Sequence, residues 1–142
     1  MNMPSFRIII TLTLLCPTLA SAQLFVAVSP PKFVGQKALI SLAITNNLPQ
    51  KVESARAMCF LLDARGRMVG LESRWVIGGT KARPALEPKK GTSFNFIITS
   101  PQPFTATNLT AKVTFNRVIL ADGKWADPDR TVIIETGKKS KK

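Results

Sequence analysis

The chain has 142 residues, with 20 Lys and Arg against 8 Asp and Glu, a formal charge of +12, two cysteines and no histidine. Its length suits one compact domain. Without histidine there is no Ser-His-Asp or Cys-His catalytic pair and no imidazole metal ligand. Two cysteines are too few for a four-thiolate zinc site.

The first 22 residues follow the three-part plan of a secretory leader: one positive charge at Arg7, an apolar stretch from Ile8 to Leu15, and a small-x-small end at Ala20-Ser21-Ala22. The apolar run is well short of the roughly 20 residues a bilayer-spanning helix needs, and Pro17 interrupts it. The expectation is therefore cleavage after Ala22 and a periplasmic or extracellular location, with no transmembrane segment left afterwards. Removal of the leader takes away Arg7 and Cys16, leaving 19 basic and 8 acidic side chains, and Cys59 as the sole thiol. No intramolecular disulfide is then possible. Cys59 sits in Ala57-Met58-Cys59-Phe60-Leu61-Leu62, where it is expected to pack as a small hydrophobe.

From residue 23 onward, apolar residues recur at every second position in short runs divided by turn formers, the signature of half-buried strands. The first strand is expected over 24–28 and stops at Pro30-Pro31. The second covers 37–45, with Ile40, Leu42 and Ile44 on one face. A third over 51–62 turns through Asp63-Ala64-Arg65-Gly66-Arg67 into a fourth over 68–77; Gly66 supplies the positive φ that such hairpins favour. Gly78 to Pro84 reads as a flexible crossing to the strand over 92–99, where Phe94, Phe96 and Ile98 share a face. Leu109, Ala111, Val113 and Phe115 share a face of the strand over 109–120, and the parity break at Val118 predicts a bulge near Arg117. The last strand is expected over 131–136.

Seven strands at this spacing predict an all-β fold: a two-sheet antiparallel β-sandwich, immunoglobulin or fibronectin type III in style, with a small barrel as the alternative. Trp75 and the phenylalanines at 60, 94, 96 and 115 are expected between the sheets. The domain spans 23–137, and residues 138–142 form a basic tail.

Ile40-x-Leu42-x-Ile44-Thr45-Asn46-Asn47, then Leu61-Leu62-Asp63-x-x-Gly66, then Leu86-x-Pro88-x-x-Gly91-x-x-Phe94 resembles bacterial extracytoplasmic FxLYD-type domains over about residues 38–98. Cys59 and Leu62 stand at the eponymous Phe and Tyr positions. The resemblance implies a sandwich and an envelope location, and no activity.

Glu53, Glu72, Glu87 and Glu135 lie in separate segments without the shared motif of a carboxylate pair, and no glycine-rich loop opens a helix. A non-enzymatic protein with no cofactor is expected. Asp122, Asp127 and Asp129 crowd one loop, but Lys124 and Arg130 sit among them, and Asp-Gly and Asp-Pro are ordinary turn chemistry. Asn108-Leu109-Thr110 satisfies the glycosylation sequon. Trp125, beside Gly123, is the candidate partner-contact residue. Lys138, Lys139, Lys141 and Lys142 are the candidate polyanion-binding residues.

The expected function is an exported binding or accessory module whose basic surface meets an anionic envelope polymer or lipid surface. The interleaved aromatics of single-strand binders are missing from the pattern, so nucleic acid is not the expected partner. The alternative is a structural or assembly subunit that pairs an edge strand with an envelope protein.

Overall fold

The computed structural model describes residues 23–104 and 108–137. The leader segment and the four tail lysines at 138, 139, 141 and 142 lie outside the described residues. In chain order the elements are β1 (Leu24–Val28), β2 (Lys32–Val34), β3 (Lys37–Asn46), β4 (Val52–Leu62), β5 (Met68–Ile77), β6 (Gly91–Thr99), β7 (Thr110–Leu120), β8 (Trp125–Ala126), the single helical turn α1 (Pro128–Thr131), and β9 (Val132–Thr136). Two short strands, β2 and β8, are added to the seven expected.

The strands form a two-layer β-sandwich. In one sheet β3 is central: β6 pairs along one side, β1 and β2 along the other, and β9 adds beyond β1. The second sheet runs β5-β4-β7-β8. The expectation of purely antiparallel pairing is corrected at one place, because β9 runs parallel to β1, from Leu24 opposite Val132 to Val28 opposite Thr136. Alternation along a strand reports which face is buried but not which neighbour it pairs with, so this pairing was not encoded in the periodicity.

The core is the row of alternate residues that face inward: Leu24, Val26 and Val28 from β1, Ile40, Leu42 and Ile44 from β3, and Phe96 and Ile98 from β6. Opposite lie Ala57, Cys59 and Leu61 from β4, and Val113 and Phe115 from β7. Cys59 is fully buried, and desolvation pushes its thiol up to about 12. Between β4 and β7 the pairing jumps from Arg56 opposite Arg117 to Ala57 opposite Phe115, so Asn116 is the extra residue, next to the expected position.

Two aromatic placements are corrected. Trp75 and Phe60 are only half-buried and lie on the outer face of the second sheet. A β-bulge is responsible for Trp75. Ala55 pairs with Ile77 and Arg56 with Trp75, which leaves Val76 as the extra residue. Ile77 therefore points into the core while Trp75, two positions earlier, stays outside. Phe60 lies in a run apolar on both faces, where parity alone does not choose between it and Cys59; the smaller thiol goes inward.

Two turns are held by side chains. Asp63 Oδ1 accepts from the amides of Arg65 and Arg67, both at 2.9 Å, in the β4–β5 hairpin. Those amides, Arg67's foremost, hold its carboxyl below the usual carboxylate range. Asn46, fully buried at the end of β3, donates from Nδ2 to the carbonyls of Gln50 at 3.0 Å and Leu86 at 2.9 Å. Its Oδ1 accepts from the Leu48 amide at 2.9 Å, and its backbone amide donates to Lys90 O at 2.9 Å. One side chain thus ties the 46–50 turn to the segment that leads into β6.

Candidate functional site

The outer face of the β5-β4-β7-β8 sheet carries a file of arginines and aromatic rings. The register sets Arg56 of β4 between Trp75 of β5 and Arg117 of β7, and Ile119 of β7 opposite Trp125 of β8. The Arg56 guanidinium lies 5.7 Å from the centre of the Trp75 ring, and that of Arg117 lies 6.0 Å from Trp75 and 4.5 Å from Trp125. Arg117 thus bridges the two tryptophans, at distances where the ring quadrupole attracts a cation. Trp125 is 63 % exposed and belongs to a short paired strand rather than to an open loop.

Where this face meets the open edge of the sandwich, between β5 and the 78–84 segment, there is a cleft of about 330 Å³. Arg56, Ser73, Arg74, Trp75, Thr80, Arg83 and Phe94 line it. Arg56 Nε–H donates to Ser73 Oγ at 3.0 Å, which fixes the guanidinium on its ring. Arg83 sits 4.5 Å above the Phe94 ring. The segment that delivers Arg83 is shaped by close backbone approach. At Gly78, whose φ is +56°, a Cβ would lie 1.9 Å from the Glu53 carbonyl oxygen; at Gly79, with φ +77°, it would lie 2.5 Å from the Trp75 ring. Only glycine meets both demands. The expected flexible crossing is a turn pressed against β4 and Trp75, closed by Arg83 N–H to Thr80 O at 3.2 Å.

Among the described residues, four carboxylates are already in ion pairs: Glu53 with Lys51 at 3.0 Å, Asp63 with Arg67 at 3.0 Å, Glu72 with Arg74 at 2.8 Å and Asp127 with Arg130 at 3.9 Å. Arg56, Arg83 and Arg117 have no such partner there. Their charge is met by π-faces, which leaves N–H donors available.

The remaining sequence-flagged groups lie elsewhere. Asp122 Oδ1 accepts from the Lys124 amide at 3.0 Å, and Asp127 caps α1 by accepting from the Asp129 amide at 3.1 Å. Asn108 is exposed near the start of β7. Two larger clefts, of about 540 and 550 Å³, are lined mainly by apolar and small polar residues; among the described residues Glu135 in the second is their one charged group. The cationic cleft was missed because its parts are distant in sequence, and β4–β5–β7 register and the Gly78-Gly79 turn bring them together. The available signal was arginine at 56 and 117, in strand segments whose other charged residues are Glu53 and Lys112 alone.

No family model matches the chain, and no curated protein matches it in sequence. Among solved structures, a crystal structure from Bordetella pertussis, under the provisional name ApaA protein, is similar at 16 % identity and a TM-score of 0.48, covering 73 % of this chain and 86 % of that one.

Proposed function

We propose that this chain is an exported, non-enzymatic β-sandwich binding module whose cationic outer face contacts anionic components of the cell envelope. The observation that carries this reading is the set of three arginines, Arg56, Arg83 and Arg117, seated on aromatic rings without carboxylate partners among the described residues. Rings hold a guanidinium in place without neutralising it, so the positive field is left for a ligand. Fifteen basic against eight acidic side chains over 23–137 give that field its sign, and the lysines at 138, 139, 141 and 142 extend it.

Binding of the leaderless protein to phosphatidylglycerol vesicles, with phosphatidylcholine vesicles as control, tests the reading. Each Lys near an anionic surface contributes about 1 kcal/mol, so deleting 138–142 is expected to weaken binding by about 10²–10³-fold at low salt. Binding should largely vanish at 1 M salt, where the Debye length is about 3 Å. Equal binding to neutral vesicles, or none at low salt, would discard the proposal.

A second reading, assembly through an edge strand, is favoured by β5, which among the described residues pairs only with β4 and exposes Met68, Val69 and Leu71. Against it, Glu72 and Arg74 sit opposite Cys59 and Ala57, on the inward parity of that strand. Inward-pointing charges on an edge strand discourage addition of another strand. Co-purification of a fixed protein partner, lost on substitution of Val69 by proline, would favour this second reading.

A further inference from the structure

We infer that the cleft between β5 and the 78–84 turn is a binding site for a phosphate group, of the terminal monoester type, and that Arg56 and Arg83 are its principal ligands. This rests on the anionic-partner reading above and assigns it a site. Arg56 uses Nε–H on Ser73 Oγ, which leaves its terminal amino groups unengaged by any side chain among the described residues and the Ser73 hydroxyl proton able to donate. Arg83 is placed over Phe94 by a contact with its plane, leaving its N–H edge unclaimed by other side chains among the described residues. Thr80 adds a hydroxyl at the same cleft. Both guanidiniums are held before any ligand arrives, so less side-chain freedom is lost on binding.

The geometry selects among oxyanions. A carboxylate offers two oxygens in one plane, whereas a phosphate monoester offers three terminal oxygens arranged tetrahedrally, which suit two forks and hydroxyls arriving from separate elements. Arg56 comes from β4 and Arg83 from the turn after β5. Arg74 also lines the cleft, but the Glu72 carboxylate, with Oε1 2.8 Å from Arg74 Nε, offsets its charge. A cleft of about 330 Å³ is at the small end of ligand pockets, which run from about 300 Å³ upward. It admits one phosphate with a short stem rather than a length of polymer. The group has two sources, a small soluble phosphate ester or a phosphomonoester lipid headgroup.

The test uses the protein from Gln23 to Lys142 and two probes: inorganic phosphate, and phosphatidylcholine vesicles with or without phosphatidic acid. Substitution W125F leaves Trp75 as the only tryptophan, so its fluorescence reports the cleft. Saturable quenching or enhancement by phosphate is expected, and R56Q and R83Q should each weaken it at least about tenfold. R56K, which keeps charge but not the fork, should weaken it as well, while K112Q, on β7 of the same sheet, should not. Thermal melts identify any variant that fails to fold, and exposed Arg65→Gln serves as a further folded control. If R56Q and R83Q also weaken binding to phosphatidic acid vesicles, the lipid headgroup is the source; if they affect inorganic phosphate alone, a soluble ester is. Phosphate titrating without saturation, or R56Q and R83Q both binding like the parent, overturns the inference. Vesicle binding that depends on residues 138–142 but not on Arg56 or Arg83 would overturn it while leaving the broader reading intact, whereas absence of both phosphate and vesicle binding removes both.

Discussion

Replacing Asn46 with alanine deletes three hydrogen bonds at a fully buried position: two donated from Nδ2 to Gln50 O and Leu86 O, and one accepted by Oδ1 from the Leu48 amide. The three losses differ in cost. Leu86 O keeps a second partner, the Val52 amide at 2.9 Å, and Gln50 belongs to an exposed turn that water can reach. The Leu48 amide is partly buried, and Asn46 Oδ1 is the acceptor it loses. At about 0.5–1.5 kcal/mol per net bond, with a surcharge for a stranded donor, the loss comes to about 2–4 kcal/mol. For a domain of this size that corresponds to a Tm lower by about 6–20 °C. Urea and thermal unfolding of N46A measure it, with N47A as the matched control, since Asn47 is exposed and its change should stay within about 0.5 kcal/mol. Asp in place of Asn46 keeps the acceptor but turns both donors into repulsion between carboxylate and carbonyls, so N46D should be worse than N46A at pH 7. If N46A and N47A unfold together, Asn46 does not hold the 46–50 turn to the 86–90 segment.

Gly78→Ala should cost more than about 2 kcal/mol, because it meets the Glu53 carbonyl as well as a positive φ, whereas Gly66→Ala, with the same kind of φ and open space around it, should cost about 1 kcal/mol; equal losses in urea melts would refute the close approach. Cys59 should react with a thiol reagent in the native protein at pH 8 only as fast as the chain unfolds. Because its folded pKa, about 12, exceeds the ordinary value of 9.0, the folded state retains a proton that the unfolded state releases: the stability this group contributes is complete below about pH 9 and falls between about pH 9 and 12. The C59A variant should lack that increment of alkaline destabilisation in a pH series of urea melts. Expression in a secreting host should yield a chain beginning at Gln23, read by intact mass; recovery of chain starting at Met1 would count against export.

Where one face of a strand is apolar and the other polar, the burial pattern was readable directly. Ile40, Leu42 and Ile44 in β3, and Ala111, Val113 and Phe115 in β7, face the core as their alternation indicates, and the parity break at Val118 marked the bulge. Legibility stopped where alternation carries no information. In Ala57 to Leu62 both faces are apolar, so the choice of Cys59 over Phe60 for the interior depends on which neighbours must fit. Trp75 was misplaced for a related reason: it shares parity with Ile77, and the extra residue, Val76, that separates their faces has no mark of its own in the sequence. The cleft was hidden more deeply. Arg56, Arg83 and Phe94 belong to different runs, and strand pairing together with the Gly78-Gly79 turn sets them side by side. Trp125 could be singled out by type, but its Arg117 neighbour followed only from the β7–β8 register.

The parallel β1–β9 pair has a mechanical consequence. Leu24 lies beside Val132 and Val28 beside Thr136, so residue 23 and residue 137 leave the pair at opposite ends. A force applied between them runs along the two strands, and the hydrogen bonds joining them are loaded together in shear instead of being peeled one after another. The load would cross β1 into β3 through the antiparallel ladder from Leu24 opposite Asn46 to Val28 opposite Leu42, spreading tension into the centre of the sheet before anything gives. A domain wired in this way resists extension by its ends far more than tugging at a hairpin such as β4–β5, whose strands unzip from the turn.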